Sequence, residues 1–106
     1  MLRIYASILT LVREMRPFCE ATSRCDAALA MQMRRALTSV PLNVAERAES
    51  RGRNRAVRYQ TAAGSMREVM DCLKGAVALG YVGEVDGELM RRMGVVIATL
   101  RKNVRS

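Results

Sequence analysis

Apolar residues fall at positions 2, 5, 9 and 12, and again at 4, 8, 11 and 15. Both series keep the three- and four-residue spacing of an α-helix. They predict a first helix over about 2–18, with an apolar face wide enough to be buried on more than one side. Pro17 predicts its end, and Cys19 to Asp26 a polar connection. A second helix is predicted over about 26–49, with Asp26 as its N-cap and Met33, Leu37, Val40, Val44 and Ala48 on one face. Gly52 supplies a stop and Asn54 a cap for the next segment. The third helix, about 54–79, carries the longest stripe: Tyr59, Ala62, Met66, Val69, Leu73 and Val77, closed by Gly80. The fourth, about 84–104, presents Val85, Leu89, Met93, Val96, Leu100 and Val104. Glu84, Asp86 and Glu88 crowd its start and basic residues its end, both favourable for the helix dipole. Four helices joined by short links predict an all-α, antiparallel up-and-down four-helix bundle, one domain over 1–106.

Two faces do not fit a simple bundle. On the second helix Gln32, Arg35, Ser39, Asn43 and Glu46 share a narrow polar arc, while Met31, Leu42 and Ala45 are apolar away from the main stripe. On the third, Gln60, Arg67, Asp71 and Lys74 form an ordinary solvated face. A further arc carries Thr61, Ser65, Glu68 and Cys72, bordered by Gly64 and Gly75. A glycine inside a helix costs about 1 kcal/mol against alanine, a cost tolerable where another helix comes close. The plain alternative is that both arcs are solvated. The glycines and the surplus apolar area favour packing against helices, within the bundle or between subunits. Arg35, Ser39, Asn43, Glu46, Gly64, Ser65 and Glu68 are therefore expected at such interfaces. Arg35 and Glu68 are expected as a buried charge pair, and Ser39 and Asn43 as hydrogen-bonded spacers. Pro41 is expected to bend its helix and free a carbonyl near Leu37.

Composition narrows the function. Half of the 106 residues are hydrophobic but only 4% are aromatic, and two Pro and seven Gly are too few for an all-β domain. Eighteen basic residues, mostly arginine, outnumber ten acidic ones, giving a net charge of +8. Such an excess attracts polyanions without reading their sequence. The charge is densest around the turn between helices two and three, at Arg47, Arg51, Arg53, Arg55 and Arg58. In an up-and-down bundle that turn shares an end with the N-terminus and with Arg101, Lys102 and Arg105. Against the alternative of a solvated loop and tail, these eight are the candidate nucleic-acid contacts. Guanidinium groups suit phosphates, and the scarcity of aromatics disfavours base stacking.

Catalytic and metal chemistry find little support. The chain has no His, and its three Cys, at 19, 25 and 72, lack Cys-x-x-Cys spacing. That argues against disulfide frameworks, zinc sites, di-iron sites and histidine-dependent nucleophiles. Cys72 has no activating base nearby, and an enzyme using Glu46 or Glu68 is the weakest alternative. No enzymatic activity, cofactor or metal is expected. The opening residues imitate a signal peptide, yet charges follow at helical spacing and no cleavage site appears. No run reaches membrane-span length, so a soluble, cytoplasmic protein with no membrane partner is expected.

Two stretches carry a family resemblance. "QMRRALTSVPLNVAE", Gln32 to Glu46, resembles the Q-x-R-R-A-x-x-S-x-x-x-N-x-A-E-G signature of the four-helix-bundle proteins first named for intervening sequences of 23S rRNA genes. "RYQTAAGSMREVMDCLKGAVALGYV", Arg58 to Val82, resembles the second block, in which G-S-x-x-E precedes a leucine and the end reads L-G-Y. Arg47 stands where the family has glycine, which predicts a helix continuing smoothly with added charge, and Ile4 stands roughly where a Trp is usual. The resemblance implies an antiparallel four-helix bundle assembled as a ring-like homopentamer, with no established enzymatic activity. A structurally similar relative is the accessory variability determinant of diversity-generating retroelements, a basic pentamer that binds a reverse transcriptase and nucleic acid. Together with the charge, this predicts a basic oligomeric scaffold binding nucleic acid, RNA foremost, within a ribonucleoprotein or reverse-transcriptase complex. The alternative is a protein-interaction module whose basicity is incidental.

Overall fold

In the computed structural model, which describes residues 2–105 and side chains from Arg3 onward, α1 (Leu2–Cys25) continues past Pro17. The buried stripe Ile4, Ile8, Leu11 and Met15 carries on as Cys19 and Thr22, with Phe18 and Ala21 partly buried beside it. Packing of that extra length offsets the hydrogen bond that proline cannot donate. The Thr22 hydroxyl is satisfied within the helix, donating to the Phe18 carbonyl at 2.7 Å. The expected polar connection is therefore helical, and Asp26 alone links α1 to α2 (Ala27–Glu46). Asp26 has extended backbone, and its carboxylate accepts from the Leu29 amide at 2.9 Å. This is the N-cap read from the sequence.

The helix α2 also runs through a proline, Pro41, and gives way at Arg47–Glu49 to a single 3-10 turn. Gly52, rather than Asn54, precedes α3 (Arg53–Ala78), with a backbone φ of +58° that disfavours any side chain. At the far end of α3 the Tyr81 amide donates to the Ala76 carbonyl and the Gly80 amide to that of Val77. With Gly80 at φ +77° this is a Schellman stop. The helix α4 (Gly87–Lys102) starts later than the run of acids predicts. Asp86 caps it by accepting from the Glu88 amide, which leaves Glu84 in the connector.

The described residues form four α-helices and no strand, a four-helix bundle. Its core is filled by Ile8, Leu11, Met15, Met33, Val40, Tyr59, Met66, Leu73, Met93 and Leu100, each at most 2% exposed. Helix α2 packs most extensively on α3; α1 lies against α2 and α4 against α3, while α1 and α4 touch little. Polar contacts pair Gln32 with Glu68, Ser39 with Ser65 and Asn43 with Arg58, positions that rise on α2 as they fall on α3. The particle extends 43 Å in its long direction and 25 by 18 Å across, so its two ends are well separated. At one end the Tyr81 hydroxyl donates to the Asp26 carboxylate at 3.3 Å, tying the α3–α4 connector to the α1–α2 link. Arg47 ties the other end together.

Candidate nucleic-acid interface and interhelical seam

Arg47 is the main correction to the sequence reading. It is only 4% exposed, and its guanidinium is turned into the protein. It donates to the Arg55 carbonyl at 2.6 Å and to the Asn103 and Val104 carbonyls at 3.3 Å each. Its charge sits 4.0 Å from the centre of the Tyr59 ring. The last carbonyls of a helix lack intrahelical donors. Arg47 supplies donors at the end of α4 while stacking on an aromatic face, which suits a weakly hydrated guanidinium. It is thus not available for a phosphate. The expected smooth continuation of α2 also fails here: the chain tightens into the 3-10 turn, and Ala48, expected on the buried stripe, is exposed. A positional signal was present: Arg47 lies three residues after buried Val44, on the same stripe. Its charge concealed it.

The same bonds hold the α2–α3 turn against the end of α4. Arg51, Arg53 and Arg55 on the turn, and Arg101, Lys102 and Arg105 at the end of α4, are all exposed. The last three line an open depression together with Gln60 and Val104. Six of the eight candidate cations are therefore gathered, exposed, at one end. Met1, expected at this end, lies outside the described residues. Arg58 is half-buried and engaged: it forms an ion pair with Glu46 at 2.8 Å and donates to Asn43 and Ser50 at 3.4 Å.

Arg58 closes a polar seam between α2 and α3. The Ser65 hydroxyl donates to that of Ser39 at 2.8 Å, and the Asn43 amide donates to both the Ser39 carbonyl and its hydroxyl. Ser39, Asn43, Glu46 and Ser65 thus meet as interhelical partners. Arg35 and Glu68 do not. Both are exposed, and the Glu68 carboxylate accepts from Gln32 at 3.5 Å instead. They lie on the outer flank of the seam, where water solvates each charge and no desolvation has to be offset by pairing. Gly64 is exposed too, and a Cβ added there, or at Gly75, would meet no atom within 4 Å. Nothing among the described residues crowds either glycine.

Along the outer flank of α2 runs an open groove of about 750 Å³. Met31 and Leu42, both 53% exposed, lie in it beside Arg34, Arg35 and Thr38. Neither Arg34 nor Arg35 has an ion-pair partner among the described residues.

The thiols are poorly placed for chemistry. Cys19 and Cys72 are buried, while Cys25 is exposed. Burial pushes the Cys19 thiol up, and the Cys72 thiol likewise, with Glu68 and Asp71 adding to the second shift. Both stay protonated and weakly nucleophilic at neutral pH. Cys19 instead donates to the Met33 sulfur at 3.6 Å. Among the described residues no group of three or more His, Cys, Asp or Glu side chains is disposed to hold a metal ion, and no helix is long and apolar enough to cross a membrane.

An all-helical bundle with a hydrogen-bonded seam along α2–α3 and arginines gathered at one end defines a basic helical-bundle protein. The seam is built from the two stretches that carry the family signature. The chain belongs to the 23S rRNA-intervening sequence protein family, whose model matches residues 1–101. Neither a search of curated proteins nor one of solved structures returned a match.

Proposed function

We propose that this protein is a non-enzymatic scaffold that binds nucleic acid, RNA foremost, through phosphate contacts at its arginine-rich end. In this reading the bundle is antiparallel and up-and-down, assembles as a cytoplasmic homopentamer, and works within a ribonucleoprotein or reverse-transcriptase complex. The observation that carries it is the exposure of Arg51, Arg53, Arg55, Arg101, Lys102 and Arg105 at the end that Arg47 ties together. The opposed order of the α2–α3 contacts supports the topology, and membership of a family named for rRNA intervening sequences supports RNA. A ring would repeat the basic end once per subunit.

Fluorescence anisotropy of a labelled RNA across a salt series tests it. Affinity should fall steeply with salt, and R51A/R53A/R55A should flatten the logarithmic slope by about 2, since each lost single-strand phosphate contact removes about 0.7. No binding at low salt overturns the reading. The open groove on α2 favours a second one, a surface for a protein partner, and no RNA binding would leave that one standing.

A further inference from the structure

The α2 groove is cationic and apolar, and a stretch that carries acids and no base lies elsewhere on the same chain. From Gly75 to Met90 there is no Lys or Arg, while Glu84, Asp86 and Glu88 all fall in this stretch. It also contains Leu79, which at 61% is the most exposed of the large hydrophobic residues described, and Val77, at 36%. Asp86 is occupied with capping α4 and Glu88 with Arg91, but Glu84 has no ion-pair partner among the described residues. Glu84 and Val77 line a second groove, at the α3–α4 corner, which has Lys74 at its α3 side and shares no residue with the first.

We infer that these two surfaces are halves of one head-to-tail contact: the α3–α4 corner of one copy seats against the α2 groove of the next, Leu79 on Met31 and Glu84 beside Arg35. Three observations support it. Copies carrying +8 repel on average, so self-association needs a place where opposite charge meets, and the corner is the longest stretch free of base. The two patches are different surfaces, and a contact between unlike patches adds copies in one rotational sense, closing a ring where the angle allows. They also lie at one height. The Tyr81–Asp26 hydrogen bond fixes the corner at the end where α2 begins, and Met31 and Arg35 fall in the first turns of α2. Copies standing side by side with parallel long axes would therefore bring the patches level. Leu42, further along α2, lies outside this contact.

The inference rests on the homo-oligomeric part of the proposed function and fails separately from it. Sedimentation velocity of the full chain should show an oligomer. R35E and E84R should each raise its dissociation constant by at least about tenfold, reversing one charge pair apiece. The double reversal R35E/E84R should re-associate, because it presents complementary charges at every junction. A wild-type monomer overturns both the assembly and this contact. An oligomer indifferent to both single reversals, or singles that dissociate without rescue by the double variant, overturns the contact alone. Circular dichroism of each single variant checks that the bundle is intact.

Discussion

Arg47 shows how far a single side chain can depart from what its charge predicts. Its donors serve carbonyls of Arg55, Asn103 and Val104, groups far apart in the chain. Arg47→Ala would remove the donors to these partly buried carbonyls and open a void over Tyr59, so unfolding free energy should fall by about 3 kcal/mol, read as a lower urea midpoint. Arg47→Lys should recover only part of that, since an ammonium cannot reproduce the guanidinium fork. The buried thiols give a pH prediction with a definite sign. Their folded pKa values are raised, so the stability they contribute is complete below the ordinary thiol pKa. It drains away as pH rises through the raised values, because the unfolded chain loses those protons first. The urea midpoint should fall between about pH 8 and pH 10, and C19A/C72A should flatten that fall. A thiol reagent should label Cys25 in the folded protein and the other two only on unfolding. Ser39, Asn43, Glu46 and Ser65 were legible as interhelical residues because small polar groups sat at helical spacing inside an apolar surround. Arg47 was not, because a charged residue on a buried stripe reads as an exception until the carbonyls it serves are seen.

At the scale of elements, caps were more legible than proline. Asp26 and Gly80 could be read because each acts through its own side chain or φ, locally and without help from the rest of the fold. Pro17 misled: its local cost is real, but the stripe resuming at Cys19 and Thr22 gives the helix enough burial to continue. Pro17 is exposed, so Pro17→Ala should lose no packing and restore a backbone donor, raising stability by about 1–2 kcal/mol by the same urea assay. Gly64 allows a sharper comparison. Nothing among the described residues stands within 4 Å of an added Cβ, so Gly64→Ala should stabilise the isolated bundle by about 1 kcal/mol. If another copy covers that flank, the same methyl weakens assembly. Urea midpoints of a dissociated variant, set beside sedimentation of the otherwise native chain, separate the two effects.

At the scale of the whole molecule, net charge was legible and its disposition only partly so. Composition gives +8 directly, but it cannot tell that one arginine is consumed inside the fold and another, Arg58, is held by Glu46, leaving six of the eight candidate cations exposed at one end. Six charges on one small protomer give weak, salt-sensitive binding of the kind any basic protein shows. A ring changes that by geometry. Once one subunit engages a strand, its neighbours meet the next phosphates at high effective concentration, and overall affinity can exceed a single site's by 10² or more with no new kind of contact. On the proposed function, assembly would then govern RNA binding from a distance. Arg35→Glu alters no residue at the arginine-rich end, yet by dissociating the ring it should lower RNA affinity by about 100-fold. The smaller salt slope should then match one protomer's complement of cations. Anisotropy titrations of R35E and of the reassociating R35E/E84R chain, matched in salt, make the comparison. If the dissociated variant binds RNA as tightly as the wild type, each bundle acts alone and the ring contributes nothing to binding.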